Sequence, residues 1–114
     1  MFVSNRLAPS VPSEVGSLFR LQSLALDHNE LTGSLPPLYM ENLTTLYLHS
    51  NQLSGNPPPS IMMMSKLVTL YIQSNEFSGK LTDLFNATTQ LSLQTIDVGN
   101  NQFAGDPPSI LLSL

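Results

Sequence analysis

Two histidines and their acidic neighbour are the residues of this chain best suited to chemistry. Asp27 and His28 are adjacent, and His49 lies further along. With Ser23 they supply the side-chain types of a hydrolytic triad. Nothing around Ser23, however, builds a strained nucleophile turn or an oxyanion hole. As metal ligands, an adjacent Asp-His pair follows no familiar spacing, so no metal site is expected. The chain has no cysteine, which removes disulfides, thiolate-bound zinc and a thiol nucleophile. No glycine-rich phosphate loop occurs, and no cofactor is expected.

Composition narrows the partners. The 114 residues carry a net charge of −4 with only four lysines and arginines. Nucleic acid is therefore disfavoured, because its phosphates need clustered basic side chains. Anionic membranes lose their polybasic docking route for the same reason. The longest apolar run, Ile61-Met62-Met63-Met64, is far short of a membrane span. Ile61 and Met64 are expected inside and Met62 and Met63 on the outer side. Only 11% of residues are charged, so the wet surface must be built from Ser, Thr, Asn and Gln.

The elements that position these residues come from an internal repeat. Asn5, Asn29, Asn51, Asn75 and Asn101 recur at spacings of 24, 22, 24 and 26 residues. Two residues after each Asn stands Leu7, Leu31, Leu53, Phe77 or Phe103. Before the last four stand Leu21-Leu24-Leu26, Leu43-Leu46-Leu48, Leu67-Leu70-Ile72 and Leu93-Ile96-Val98. Four residues after Asn come Gly33, Gly55, Gly79 and Gly105, with Pro9 at that place in the first unit. The pattern L-x-x-L-x-L-x-x-N-x-L-x-G-x-(I/L)-P resembles the leucine-rich repeat, in its plant-type form. The resemblance implies a leucine-rich-repeat solenoid. This is an α/β-type right-handed superhelix with short parallel strands on the concave face, and irregular turns and short helical segments on the convex side. One array is expected over 1–114: a partial repeat 1–20, repeats 21–42, 43–66 and 67–92, and a partial repeat 93–114, without caps. Pro57 and Pro107 depart from the pattern, as does Thr82 in place of the proline, so the convex side should be irregular.

Alternation in x-L-x-L-x is the strand period, so the leucines face inward and the residues between them face out. Each unit can bury its apolar face only against its neighbours. The Asn column is expected to act as a structural ladder, its amides satisfying backbone groups where the chain turns. Prolines should keep the convex side from forming a long regular sheet. By register, one outward column reads Ala25, Tyr47, Tyr71, Asp97. The next reads Asp27, His49, Gln73, Gly99, and the last reads His28, Ser50, Ser74, Asn100. Tyr47 and Tyr71 should sit side by side, as tyrosines that favour interfaces do. Asp27 and His49 should be neighbours, an arrangement that on an open surface contributes little to stability.

The expected function is non-catalytic recognition of a protein or peptide through Tyr47, Tyr71, His49, Asp27, Gln73 and Asp97 on the concave face. Resemblance to plant receptor-like kinases and receptor-like proteins implies an extracellular or cell-surface setting, with the cytoplasm left open by the lack of cysteine. The alternative is a structural or truncated remnant without independent activity. Sequons at Asn42 and Asn86 permit N-glycosylation. Apolar, uncapped ends suggest end-to-end self-association.

Overall fold

A computed structural model describes residues 9–105. Asn5 and the apolar run at 110–114 lie outside them. Among the described residues, eight short strands form two parallel sheets. The first holds β1 (Ser23–Ala25), β3 (Thr45–Tyr47), β5 (Thr69–Tyr71) and β7 (Thr95–Asp97), in that order. The second holds β2 (Thr32–Ser34), β4 (Gln52–Gly55), β6 (Glu76–Lys80) and β8 (Gln102–Ala104). Each unit therefore contributes one strand to each sheet, separated by a turn that contains the Asn.

Register in the first sheet sets Leu24 beside Leu46, Leu46 beside Leu70 and Leu70 beside Ile96. The side chains of Leu46, Leu48, Leu53, Leu70, Ile72 and Phe77 are fully buried between the sheets. Burial weakens toward the later edge, where Ile96, Val98 and Phe103 only pack against the core. The Phe77 and Phe103 rings stack 6.4 Å apart across neighbouring coils.

The Asn amides tie one coil to the next. Asn51 Nδ2 donates to Leu26 O of the preceding coil at 2.9 Å and to Leu48 O of its own at 3.1 Å. Its Oδ1 accepts from Leu31 N at 3.1 Å. Asn75 repeats the set with Leu48 O at 2.8 Å, Ile72 O at 3.1 Å and Leu53 N at 3.0 Å. Asn101 does so with Ile72 O at 2.9 Å, Val98 O at 3.2 Å and Phe77 N at 3.0 Å. The carbonyls of Leu48 and Ile72 are thus each shared by two successive amides, so the bonds form a continuous line through the stack. Asn29 donates to Leu26 O and Asp27 O of its own coil.

The second sheet is an addition to the sequence expectation. Prolines limit its strands, as the physics of a missing N–H requires. β2 stops before Leu35-Pro36 and β4 before Asn56-Pro57. The longest strand, β6, belongs to the unit in which Thr82 replaces the proline. Short 3-10 segments at Ser13–Ser17, Pro59–Met63 and Leu81–Leu84 follow on the convex side. The short unit has none, and its chain passes through Pro36-Pro37 instead. The long unit wraps its extra chain around Gln90. The Gln90 side chain is buried, donates to Ile61 O and Leu84 O at 3.1 Å each, and accepts from Asn86 N at 2.7 Å. Ile61 and Met64 are buried, Met62 is half-buried and Met63 is exposed.

Two turns per unit use left-handed backbone. Gly33, Gly55, Gly79 and Gly105 have φ between 76° and 97°. At Gly79, with φ 97°, the conformation itself demands glycine, whereas the Asn56 amide that a Cβ would meet is the end of a side chain and can swing aside. The other position is non-glycine: His28, Ser50, Ser74 and Asn100 have φ from 52° to 61°. Left-handed conformations are uncommon without glycine and better tolerated by Asn and His.

Candidate functional site

The outward side of the first sheet carries a cluster of rings. Tyr47 and Tyr71 are paired in register on β3 and β5. Their rings stack at a centroid distance of 5.1 Å and an angle of 15°. This spacing follows the strand separation of about 4.8 Å. His49, just beyond the end of β3, meets both rings edge-on, at 5.7 Å from Tyr47 and 5.8 Å from Tyr71. Such offset and edge-to-face pairs add about 0.5–1.5 kcal/mol beyond area burial, so the cluster is held in one arrangement.

The acidic side of the cluster is Asp27. Its Oδ2 lies 3.6 Å from His49 Nε2 and 3.8 Å from His28 Nε2. The His49 side chain is only 15% exposed, whereas that of His28 is 71% exposed. The two imidazoles meet edge-on at 5.1 Å. His28 joins the site for a backbone reason. Consecutive residues of an extended chain point to opposite faces, but the left-handed turn at His28 returns its side chain to the side of Asp27.

Of the six expected contact residues, Tyr47, Tyr71, His49 and Asp27 form this contiguous group. Gln73 follows His49 on the next coil, as the bond from Ser50 N to Gln73 O shows. Its Oε1 and His49 Nδ1 are both buried without a hydrogen-bond partner. Asp97 stands beside Tyr71 in register, but its Oδ1 accepts from Gly99 N at 3.0 Å and is turned onto its own loop. Ser23 is an exposed residue of β1.

The two sequons differ. Asn42 Nδ2 donates to Phe19 O at 3.2 Å, and its Oδ1 accepts from Lys66 Nζ at 2.8 Å, so its amide bridges coils on both sides. Asn86 Oδ1 instead accepts from Thr88 N at 2.9 Å and Thr88 Oγ1 at 2.6 Å within the sequon itself.

A family model for the Leucine Rich Repeat matches residues 20–40, 42–64 and 92–114. The chain belongs to the leucine-rich-repeat family. A probable leucine-rich-repeat receptor-like serine/threonine-protein kinase of Arabidopsis thaliana is 43% identical over 54 residues, 46% of this chain and 6% of that protein. The leucine-rich-repeat ectodomain of the Arabidopsis thaliana receptor kinase SOBIR1 superposes with a TM-score of 0.83 at 30% identity, over 93% of this chain and 58% of that one. The Arabidopsis receptor kinase HAESA, in complex with the peptide hormone IDA and the co-receptor SERK1, superposes with a TM-score of 0.79 at 29% identity, over 93% of this chain and 18% of that one. This leucine-rich-repeat chain therefore has the architecture of plant receptor-kinase ectodomains and spans a small part of their length in most of these comparisons.

Proposed function

We propose that this leucine-rich-repeat chain is a recognition module that binds a peptide or protein segment along the outward side of its first sheet, in an extracellular or cell-surface setting. The observation that carries the reading is the stacked Tyr47–Tyr71 pair with His49 against both rings. The rings are fixed before binding, so little side-chain entropy remains to be lost on contact. Asp27 and Asp97 flank the rings at different coils and supply acceptors to a bound chain. HAESA, a structural relative, is seen with a peptide hormone and a co-receptor, and that partner class suits an open strip better than it suits a small-molecule pocket. The reading assigns no catalysis to the chain, since reacting groups need a closed polar site and these side chains stand on an open sheet.

The test is a selection of random peptides displayed on phage against the chain. Selected peptides should bind the Tyr47→Ala/Tyr71→Ala variant at least about tenfold more weakly, the loss that corresponds to about 1.4 kcal/mol. Tyr39→Ala, at a 68% exposed tyrosine away from this strip, should leave affinity unchanged. Selected binders indifferent to the double variant would remove the tyrosines from the site.

Expression through a secretory pathway carries a further expectation. Occupancy should be greater at Asn86 than at Asn42, because Asn42 is engaged on both sides of its amide. Mass spectrometry of the two glycopeptides decides it, and preferential occupancy of Asn42 would show that folding does not limit modification here.

A further inference from the structure

We infer that Asp27, His28 and His49 form a binding site for one divalent transition-metal ion of the zinc class, at the edge of the outward sheet surface. One ligand atom from each residue lies within 4.8 Å of the other two. Two imidazoles and one carboxylate are a donor set that suits zinc and its neighbours and does not suit calcium or magnesium, which prefer oxygen.

Metal–ligand bonds of about 2.0–2.1 Å in tetrahedral geometry place ligand atoms about 3.3 Å apart. Asp27 Oδ2 is already 3.6 Å from His49 Nε2 and 3.8 Å from His28 Nε2. Closing the site asks for shifts of about 0.3 and 0.5 Å at these pairs and of up to about 1.5 Å between the two imidazole nitrogens, since the three ligand atoms lie within 4.8 Å of one another. The residue with most to move, His28, is the exposed one, and its side chain can turn without disturbing the core. His49 is the fixed member, held edge-on against the stacked Tyr47 and Tyr71 rings.

The surroundings of His49 leave its ring nitrogens unclaimed by the protein. Nδ1 is buried without a hydrogen-bond partner, as is Gln73 Oε1 on the next coil. Nε2 faces the Asp27 carboxylate at 3.6 Å, beyond hydrogen-bond distance. A cation between that nitrogen and the carboxylate would bind both. Three protein ligands leave at least one coordination position for a carboxylate, imidazole or water.

The experiment titrates the 114-residue chain with Co²⁺ and follows its visible d–d band, then displaces it with Zn²⁺. One ion per chain is expected, with loss of the band as zinc replaces cobalt. His28→Asn preserves a residue tolerant of left-handed backbone and should weaken binding at least tenfold, as should His49→Gln. Asp83→Asn, at an exposed carboxylate of the Leu81–Leu84 segment, should leave it unchanged. Circular dichroism of each variant separates loss of ligand from loss of fold, and the exposed His28 position keeps the test informative if His49→Gln does not fold. Absence of a saturable one-equivalent signal, or a signal that survives His28→Asn in a folded chain, overturns the assignment. Because the metal alone is the probe, this result is independent of whether a peptide binds the tyrosines.

Discussion

Asn75→Ala is expected to lower the free energy of unfolding by about 1–3 kcal/mol, the cost of leaving a buried backbone N–H without its partner. The amide of Asn75 joins two successive coils: it reaches Leu48 O and Ile72 O and accepts from Leu53 N. The residue is only 7% exposed, so water replaces none of these bonds without opening the stack. Leu48 O and Ile72 O keep second donors in Asn51 and Asn101. The main loss therefore falls on the Leu53 N–H, which faces a void where Oδ1 had been. Asn75→Asp should be worse, since it sets a carboxylate against carbonyl oxygens in a low-dielectric place. Asn29→Ala, at an exposed residue whose amide donates to Leu26 O and Asp27 O, should cost about 1 kcal/mol or less. Urea denaturation followed by circular dichroism measures all three. Equal midpoints for Asn75→Ala and Asn29→Ala would contradict a burial-dependent ladder. Because stability in such arrays depends on nearest-neighbour coupling, the loss should appear as decoupling of the coils on either side of Asn75.

Gly16→Ala is the second large effect. A Cβ at Gly16 would stand 2.1 Å from the carbonyl oxygen of Pro37 and 3.2 Å from its carbon. Both atoms are backbone of the next coil, so no side chain can swing aside. The same contact carries a bond from Tyr39 N to Gly16 O at 2.8 Å, which the displaced coil would lose as well. A loss of about 3 kcal/mol or more follows from overpacking combined with a broken bond. For a domain of this size each kcal/mol moves Tm by about 4–8 °C, so a fall of more than about 10 °C is expected. Gly99→Ala is the matched control. Its nearest neighbour, Asp97 Oδ1 at 3.2 Å, is the end of a side chain and can give way. Melting points that agree for the two variants would mean that the coils slide apart freely, and the close approach at Gly16 would then carry no structural weight.

Particular residues show what local reasoning reaches. The columns of Leu24, Leu46, Leu70 and Ile96 were visible as a spacing, and register puts them side by side because each unit enters the sheet at the same point of its pattern. Tyr47 beside Tyr71 follows from the same arithmetic. Gly16 and Gln90 were invisible. Gly16 matters only because Pro37 of another coil approaches it, and Gln90 only because an irregular loop folds over it. Neither belongs to a column that repeats, so periodicity carries no trace of them. The second sheet was hidden as well: its strands are three to five residues long and include glycine and serine, and they hold together through pairing between units more than through propensity.

The sequence by itself determined the solenoid, the placing of the core leucines and the outward position of the tyrosines, because a side-chain period repeated with each unit leaves one way to bury its apolar half. Only the tertiary structure decided which outward groups meet. His28 reaches Asp27 through a left-handed turn, and His49 reaches it from the next coil. Convergence of side chains from separate coils depends on torsions and on the stacking distance between units. Neither quantity is written in the order of residues along one coil.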